Sequence, residues 1–138
     1  MDQLPDRAPD AEVLHPDVVR FLDERIDTVP HLEALLLLWE SSDTPWRDAD
    51  VAARLYVPVD EARRIVADLA QRQLVRIVAG ENGTAVSYDS SWDPGGVRMK
   101  LVATAYRRQL VQVASLIHAR APTAVRDFAR AFRFKKKE

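Results

Sequence analysis

Apolar positions recur along this chain with two periods, and the change from one to the other divides it into elements. From residue 17 to residue 71 the spacing is that of helices. Asp17 is placed to cap a helix over Val18–Ile26, with Val18, Phe21, Leu22 and Ile26 on one stripe. Thr28 caps a second helix that tolerates Pro30 in its first turn, and Leu32, Leu35, Leu36 and Trp39 share a face. Leu37 and Leu38 widen that face until the helix is apolar on nearly all sides, as for a helix central to a core or lodged between protomers. After the loop Ser41–Pro45, Asp48 is placed to cap a short helix carrying Val51, Ala52 and Leu55 on one side. Tyr56-Val57-Pro58-Val59 interrupts it, because Pro58 disfavours the helical region for Val57. A further helix over residues 60–72 has an acidic first turn, Asp60 and Glu61, and a core face of Ala62, Ile65, Val66 and Leu69.

The period then changes. Leu74–Val78 and Ala85–Tyr88 are rich in β-branched and aromatic residues, and Asn82-Gly83 between them is a strong hairpin signal because both residues tolerate positive φ. Ser90–Gly96 reads as a flexible, turn-rich joint. From Val97 to about Arg120 neither Gly nor Pro occurs, which predicts one helix on the order of 35 Å long. Its stripe is Val102, Ala105, Tyr106, Leu110, Val113, Leu116 and Ile117, widened by Leu101 and Val111. Pro122-Thr123 ends it and starts a last amphipathic helix, Ala124 to about Phe134, with Val125, Phe128, Ala129 and Phe132 on one face. The resulting division is an acidic arm over 1–16, a domain over 17–92, C-terminal helices over 97–134 and a basic tail over 135–138.

Two helices joined by a tight turn and followed by a two-stranded hairpin resemble a winged helix-turn-helix, as in the MarR-, PadR- and ArsR-like group of bacterial transcriptional regulators. The fold class expected is mainly α with a small β-hairpin, that is α+β, with additional helices at both ends. The resemblance implies that the second helix of the motif enters the DNA major groove and that the hairpin touches the flanking backbone. It also implies dimerisation through helices outside the motif. The stripe after Val97 is broader than one small winged helix can cover, so Leu101, Val102, Tyr106, Leu110, Val113, Leu116 and Ile117, with Phe128 and Phe132, are expected to build a homodimer interface together with Leu32–Trp39.

Projected at 100° per residue, helix 60–72 turns Asp60, Arg64, Ala67 and Gln71 away from its core face, flanked by Arg63 and Asp68. Arg64 is suited to guanine, Gln71 to adenine and Arg63 to a phosphate. Arg47, Arg54 and Arg76 are the other cations expected at the DNA. Against them stand Asp60, Glu61 and Asp68, and the hairpin tip Ala79–Thr84 has no Lys or Arg and one Glu. The same fold therefore supports a second reading, a protein-interaction module that does not bind DNA directly.

Composition and charge narrow the classes. With 138 residues, 47% of them hydrophobic, the chain can bury a core. The net charge of −1 conceals an asymmetry: residues 1–45 sum to −8, residues 46–121 to +3 and residues 122–138 to +4. No apolar run approaches the roughly 20 residues of a membrane span. The acidic, proline-rich start is unlike a targeting peptide. Cysteine is absent, which excludes disulfides and thiol catalysis and makes a cytoplasmic location the default. His15, His31 and His118 stand far apart with no His or Cys at ligand spacing, Asp48-Ala49-Asp50 suits helix capping, and the glycines lack a phosphate-loop pattern. No cofactor, metal or catalytic constellation is expected. Double-stranded DNA, a second copy of the chain and a protein partner are the candidate partners, and a membrane is not.

Overall fold

The helix Val29–Glu40, here α2, is the element about which the others pack. The computed structural model describes residues 13–80 and 83–119. Within α2, His31, Leu32, Ala34, Leu35, Leu36 and Leu38 are buried, so apolar side chains on nearly every side make it the core helix of its own protomer. Thr28 caps it, its hydroxyl accepting from the His31 N–H at 3.3 Å.

The preceding helix α1, Pro16–Arg25, begins one residue before the expected cap. His15 is the N-cap, Nδ1 accepting the Asp17 N–H at 3.0 Å, and Pro16 occupies the first turn, where its missing N–H costs nothing. Asp17 instead places its charge in that turn. At α3, Asp48–Leu55, the cap moves by one residue, and Arg47 holds that position without a side-chain capping bond. The Asp48 carboxylate is engaged elsewhere, by Arg63.

Helix α3 ends at Tyr56, which adopts the left-handed conformation at φ 59° and is 93% exposed. The N–H groups of Tyr56 and Val57 both reach the Ala52 carbonyl. Pro58 then caps α4, Val59–Gln71, which buries Ala62, Ile65, Val66 and Leu69 as its spacing requires. Strand β1, Val75–Gly80, pairs antiparallel with β2, Gly83–Tyr88, in a register running from Val75 opposite Tyr88 to Gly80 opposite Gly83. Gly83 takes φ 106° as the chain enters β2. A third segment joins this ribbon: Trp46 exchanges both backbone bonds with Val86, at 2.8 and 2.7 Å. The architecture is α+β, a winged helix-turn-helix with α3 and α4 as the crossed pair, β1–β2 as the wing and additional helices on either side.

The joint after the wing is organised around one carboxylate. Buried Asp93 accepts the N–H groups of Arg98 and Met99 at 3.1 and 2.9 Å, which caps the following helix from two positions. Two short 3₁₀ turns, Ser90–Trp92 and Pro94–Gly96, present it. Trp92 stacks on Phe21 with centroids 5.2 Å apart and meets Tyr88 edge-on at 6.4 Å, joining α1 to the wing.

The single long helix expected from Val97 is two: α5, Val97–Arg108, and α6, Leu110–Ala119. Gln109 leaves the helical region at φ −129°, ψ 47° without help from Gly or Pro. The break turns both halves onto α1 and α2, so that Met99, Val102 and Ala105 from α5 and Val113 and Ile117 from α6 enter one core. Burial of that apolar surface, at about 25 cal/mol per Å², outweighs the backbone hydrogen bond that a straight helix would add.

Candidate nucleic-acid interface

Helix α4 positions the candidate site. Its core face is held by α2 and α3, and its outer face is open: Arg63, Arg64, Ala67 and Gln71 are all exposed, as is Asp60. The two arginines differ. Arg63 forks between two carboxylates, Nε donating to Asp48 Oδ2 at 3.1 Å and an amino nitrogen donating to Asp60 Oδ1 at 3.3 Å. The fork ties α4 to the first turn of α3 and shares one positive charge between Asp48 and Asp60. Arg64, among the described residues, makes neither an ion pair nor a side-chain hydrogen bond.

Asp68 is turned away from that face. Its Oδ2 lies 2.8 Å from Nε2 of His31 on α2, so one of the charges expected beside Arg64 is engaged towards the core side. The other end of α4 is fastened in the same direction. Arg72, which sequence reasoning did not single out, donates to the Glu24 carbonyl at 2.8 Å and to Asp27 Oδ1 at 2.7 Å, while Arg25 donates to the Arg72 carbonyl at 3.2 Å. No local signal marks these bonds, since they cross 45 or more residues of sequence.

The remaining expected cations lie on other elements. Arg47 is exposed at the start of α3, and exposed Arg54, at its end, sits 5.3 Å above the Trp46 ring, which holds the guanidinium by cation–π attraction. Arg76 is exposed on β1. It adds to the depression of the Asp89 pKa, which is lowered first by side-chain and backbone hydrogen bonds from Ser91. The described part of the wing carries Ile77 and Val78 at 47% and 51% exposure. Residues 81 and 82 lie outside the described set.

Of the residues expected at a dimer interface, Val102, Val113 and Ile117 are buried against α1 and α2 of the same protomer, Leu101, Tyr106 and Leu116 are half-buried, and Leu110 is about half exposed. Val111, beside them, is 76% exposed. Phe128 and Phe132, with the last helix and the basic tail, lie outside the described residues. Tyr106 donates to Glu33 Oε2 at 2.7 Å. Burial, followed by the Glu33 bond and charge, pushes its phenol up to about 12. That pair borders a cleft of about 330 Å³ between α2, α3 and α5, lined also by Glu40, Arg54 and Tyr56. No helix among the described residues is long and apolar enough to cross a membrane.

No family model matches the chain, and no curated protein matches it. Several solved structures are similar to it. A glycine-to-lysine mutant of S. aureus MepR is 13% identical with a TM-score of 0.49, over 86% of this chain and 84% of that one. S. aureus MepR bound to ethidium bromide is 12% identical with a TM-score of 0.44, over 87% and 86%. A cysteine-to-serine mutant of Lactococcus lactis ZitR is 14% identical with a TM-score of 0.43, over 99% and 82%. Both are MarR-family proteins, and the likeness is one of fold.

Proposed function

We propose that this chain is a dimeric winged-helix transcriptional regulator that reads double-stranded DNA through the outer face of α4. The supporting observation is the exposure of Arg64 and Gln71 on a helix whose opposite face is locked into the core. A guanidinium without a partner among the described residues can make the bidentate contact to guanine, and the Gln71 amide can do the same with adenine. Arg63 is half committed to Asp48 and Asp60, and its role is to position α4 and to offer one nitrogen to a phosphate. Arg47, Arg54 and Arg76 supply sequence-independent attraction from α3 and β1.

The dimer rests on what α6 leaves uncovered. Leu110 and Val111 point outward, and Val111 with Leu116 borders a groove shared with Val13, Leu14 and Val19. Because Met99, Val102, Val113 and Ile117 belong to the protomer's own core, truncation before Val97 would unfold the chain. Leu110→Glu combined with Val111→Glu is the appropriate variant. Sedimentation of this double variant should give a monomer, and an unchanged dimer places the interface elsewhere.

A second reading has one observation in its favour: Ile77 and Val78 are exposed on a wing with no Lys or Arg near its tip, a surface fitted to a protein more than to a phosphate backbone. Binding to random duplex DNA at two salt concentrations separates the two. The DNA reading requires measurable affinity with a steep salt slope that flattens when Arg63 and Arg64 are both replaced by Ala. Absence of binding at low salt selects the protein-interaction module.

A further inference from the structure

Two side chains four residues apart meet a third that is distant in sequence and carried by α4. Asp27 lies in the corner between α1 and α2, His31 in the first turn of α2, and Asp68 on α4, and one donor atom from each lies within 4.8 Å of the other two. We infer that this corner binds a divalent first-row transition cation, with Asp27, His31 and Asp68 as its protein ligands and water completing the shell.

The arrangement has more than a cluster of acids to recommend it. His31 is 8% exposed, and its ring is oriented from behind: Nδ1 lies 2.6 Å from Thr28 Oγ1, which directs Nε2 at Asp68 Oδ2, 2.8 Å away. To ligate, Nε2 gives up the proton it directs at Asp68, and Thr28 Oγ1 is placed to accept from Nδ1–H in the resulting tautomer. Asp27 is oriented likewise, because Arg72 holds Oδ1 at 2.7 Å and the second oxygen can turn to an ion. Metal–ligand bonds of about 2.0–2.2 Å require donors separated by about 3–3.5 Å, which lies between the 2.8 Å of the His31–Asp68 pair and the 4.8 Å limit of the trio. Small rotations of two half-buried carboxylates achieve it. The electrostatics agree in sign. Asp27 pairs with Arg72, whereas Asp68 faces only His31 among the ion pairs of the described residues, so with a neutral imidazole its charge is open to a cation. One imidazole with two carboxylates suits Zn²⁺ or Mn²⁺ rather than Mg²⁺, which prefers oxygen ligands alone.

A cation held there replaces the His31–Asp68 hydrogen bond with a bond to each side chain and joins α4 to the corner beside the Arg72 contact. Its binding is independent of whether α4 reads DNA, and the test contains no DNA. The full chain, stripped with chelator, is titrated with Zn²⁺ and separately with Mn²⁺ while bound metal and Tm are followed. One ion per chain and a Tm that climbs with metal concentration are expected. Asp68→Asn and Asp27→Asn, which preserve shape at half-buried positions, should each weaken binding at least about tenfold, as should His31→Gln. His15→Asn combined with His118→Gln should leave binding intact. Failure to retain one ion per chain overturns the inference, and so does binding that survives Asp68→Asn but is lost with His15 and His118.

Discussion

Helix α4 and the wing are both rooted in the core, the helix along one whole face and the wing only at its base, and they present opposite chemistry. The helix buries Ala62, Ile65, Val66 and Leu69 and turns Arg63, Arg64 and Gln71 to solvent. The wing buries Val75, Val86 and Tyr88 and turns Ile77, Val78 and Ala79 to solvent. A polyanion finds cations on the first surface and only Arg76 on the described part of the second. In the DNA reading, affinity is therefore concentrated on the helix and the wing contributes little, the reverse of a motif whose ribbon grips the backbone.

The largest effect should come from unseating the helix. Leu69→Ala opens a cavity at a fully buried position and should cost about 2–5 kcal/mol, read as a drop in Tm with loss of every function of α4. Next, Arg64→Ala should weaken a preferred DNA site by about 1–3 kcal/mol and relax its base preference. Anisotropy on preferred and random duplexes checks this, and an equal loss on both would make Arg64 a phosphate contact. Tyr106→Phe, remote from both surfaces, should cost about 1 kcal/mol by removing the bond to Glu33. Its pH signature has a definite sign. Folding raises the Tyr88 and Tyr106 phenols from 10.0 to about 12, so the stability they contribute is complete below pH 10 and is lost as pH rises from about 10 through about 12. Denaturation across that range should show a smaller decline in Tyr106→Phe. The smallest change is Thr84→Lys on the exposed end of β2. It should steepen the salt slope by about 0.9 if the wing meets a phosphate, with stability altered by less than about 0.5 kcal/mol. An unaltered slope would sharpen the contrast between the two surfaces.

The elements with a strong period were legible in the sequence. The spacing over residues 60–72 declared both faces of α4, and Asn82-Gly83 with its β-branched flanks declared the hairpin. Features that depend on a single residue were not. Trp46 adds one pair of bonds to the wing, and one residue has no periodicity to read. His15 and Arg47 took cap positions that Asp17 and Asp48 suit better in isolation, because neighbouring side chains and the chain's entry angle decide the boundary. The break at Gln109 follows from where α1 and α2 lie, information that residues 97–120 do not contain. At the candidate site the exposed arginines were foreseen. The fork on Arg63 and the turning of Asp68 to His31 were not, since both join residues that are distant along the chain.

Tyr56 bears on how the turn between α3 and α4 should be understood. A left-handed backbone is about 1–2 kcal/mol less comfortable for a residue with a Cβ than for glycine, and a phenol so open to water recovers little of that through packing. Glycine at this position is expected to give a steadier protomer, so the chain carries a standing strain where its two crossed helices meet.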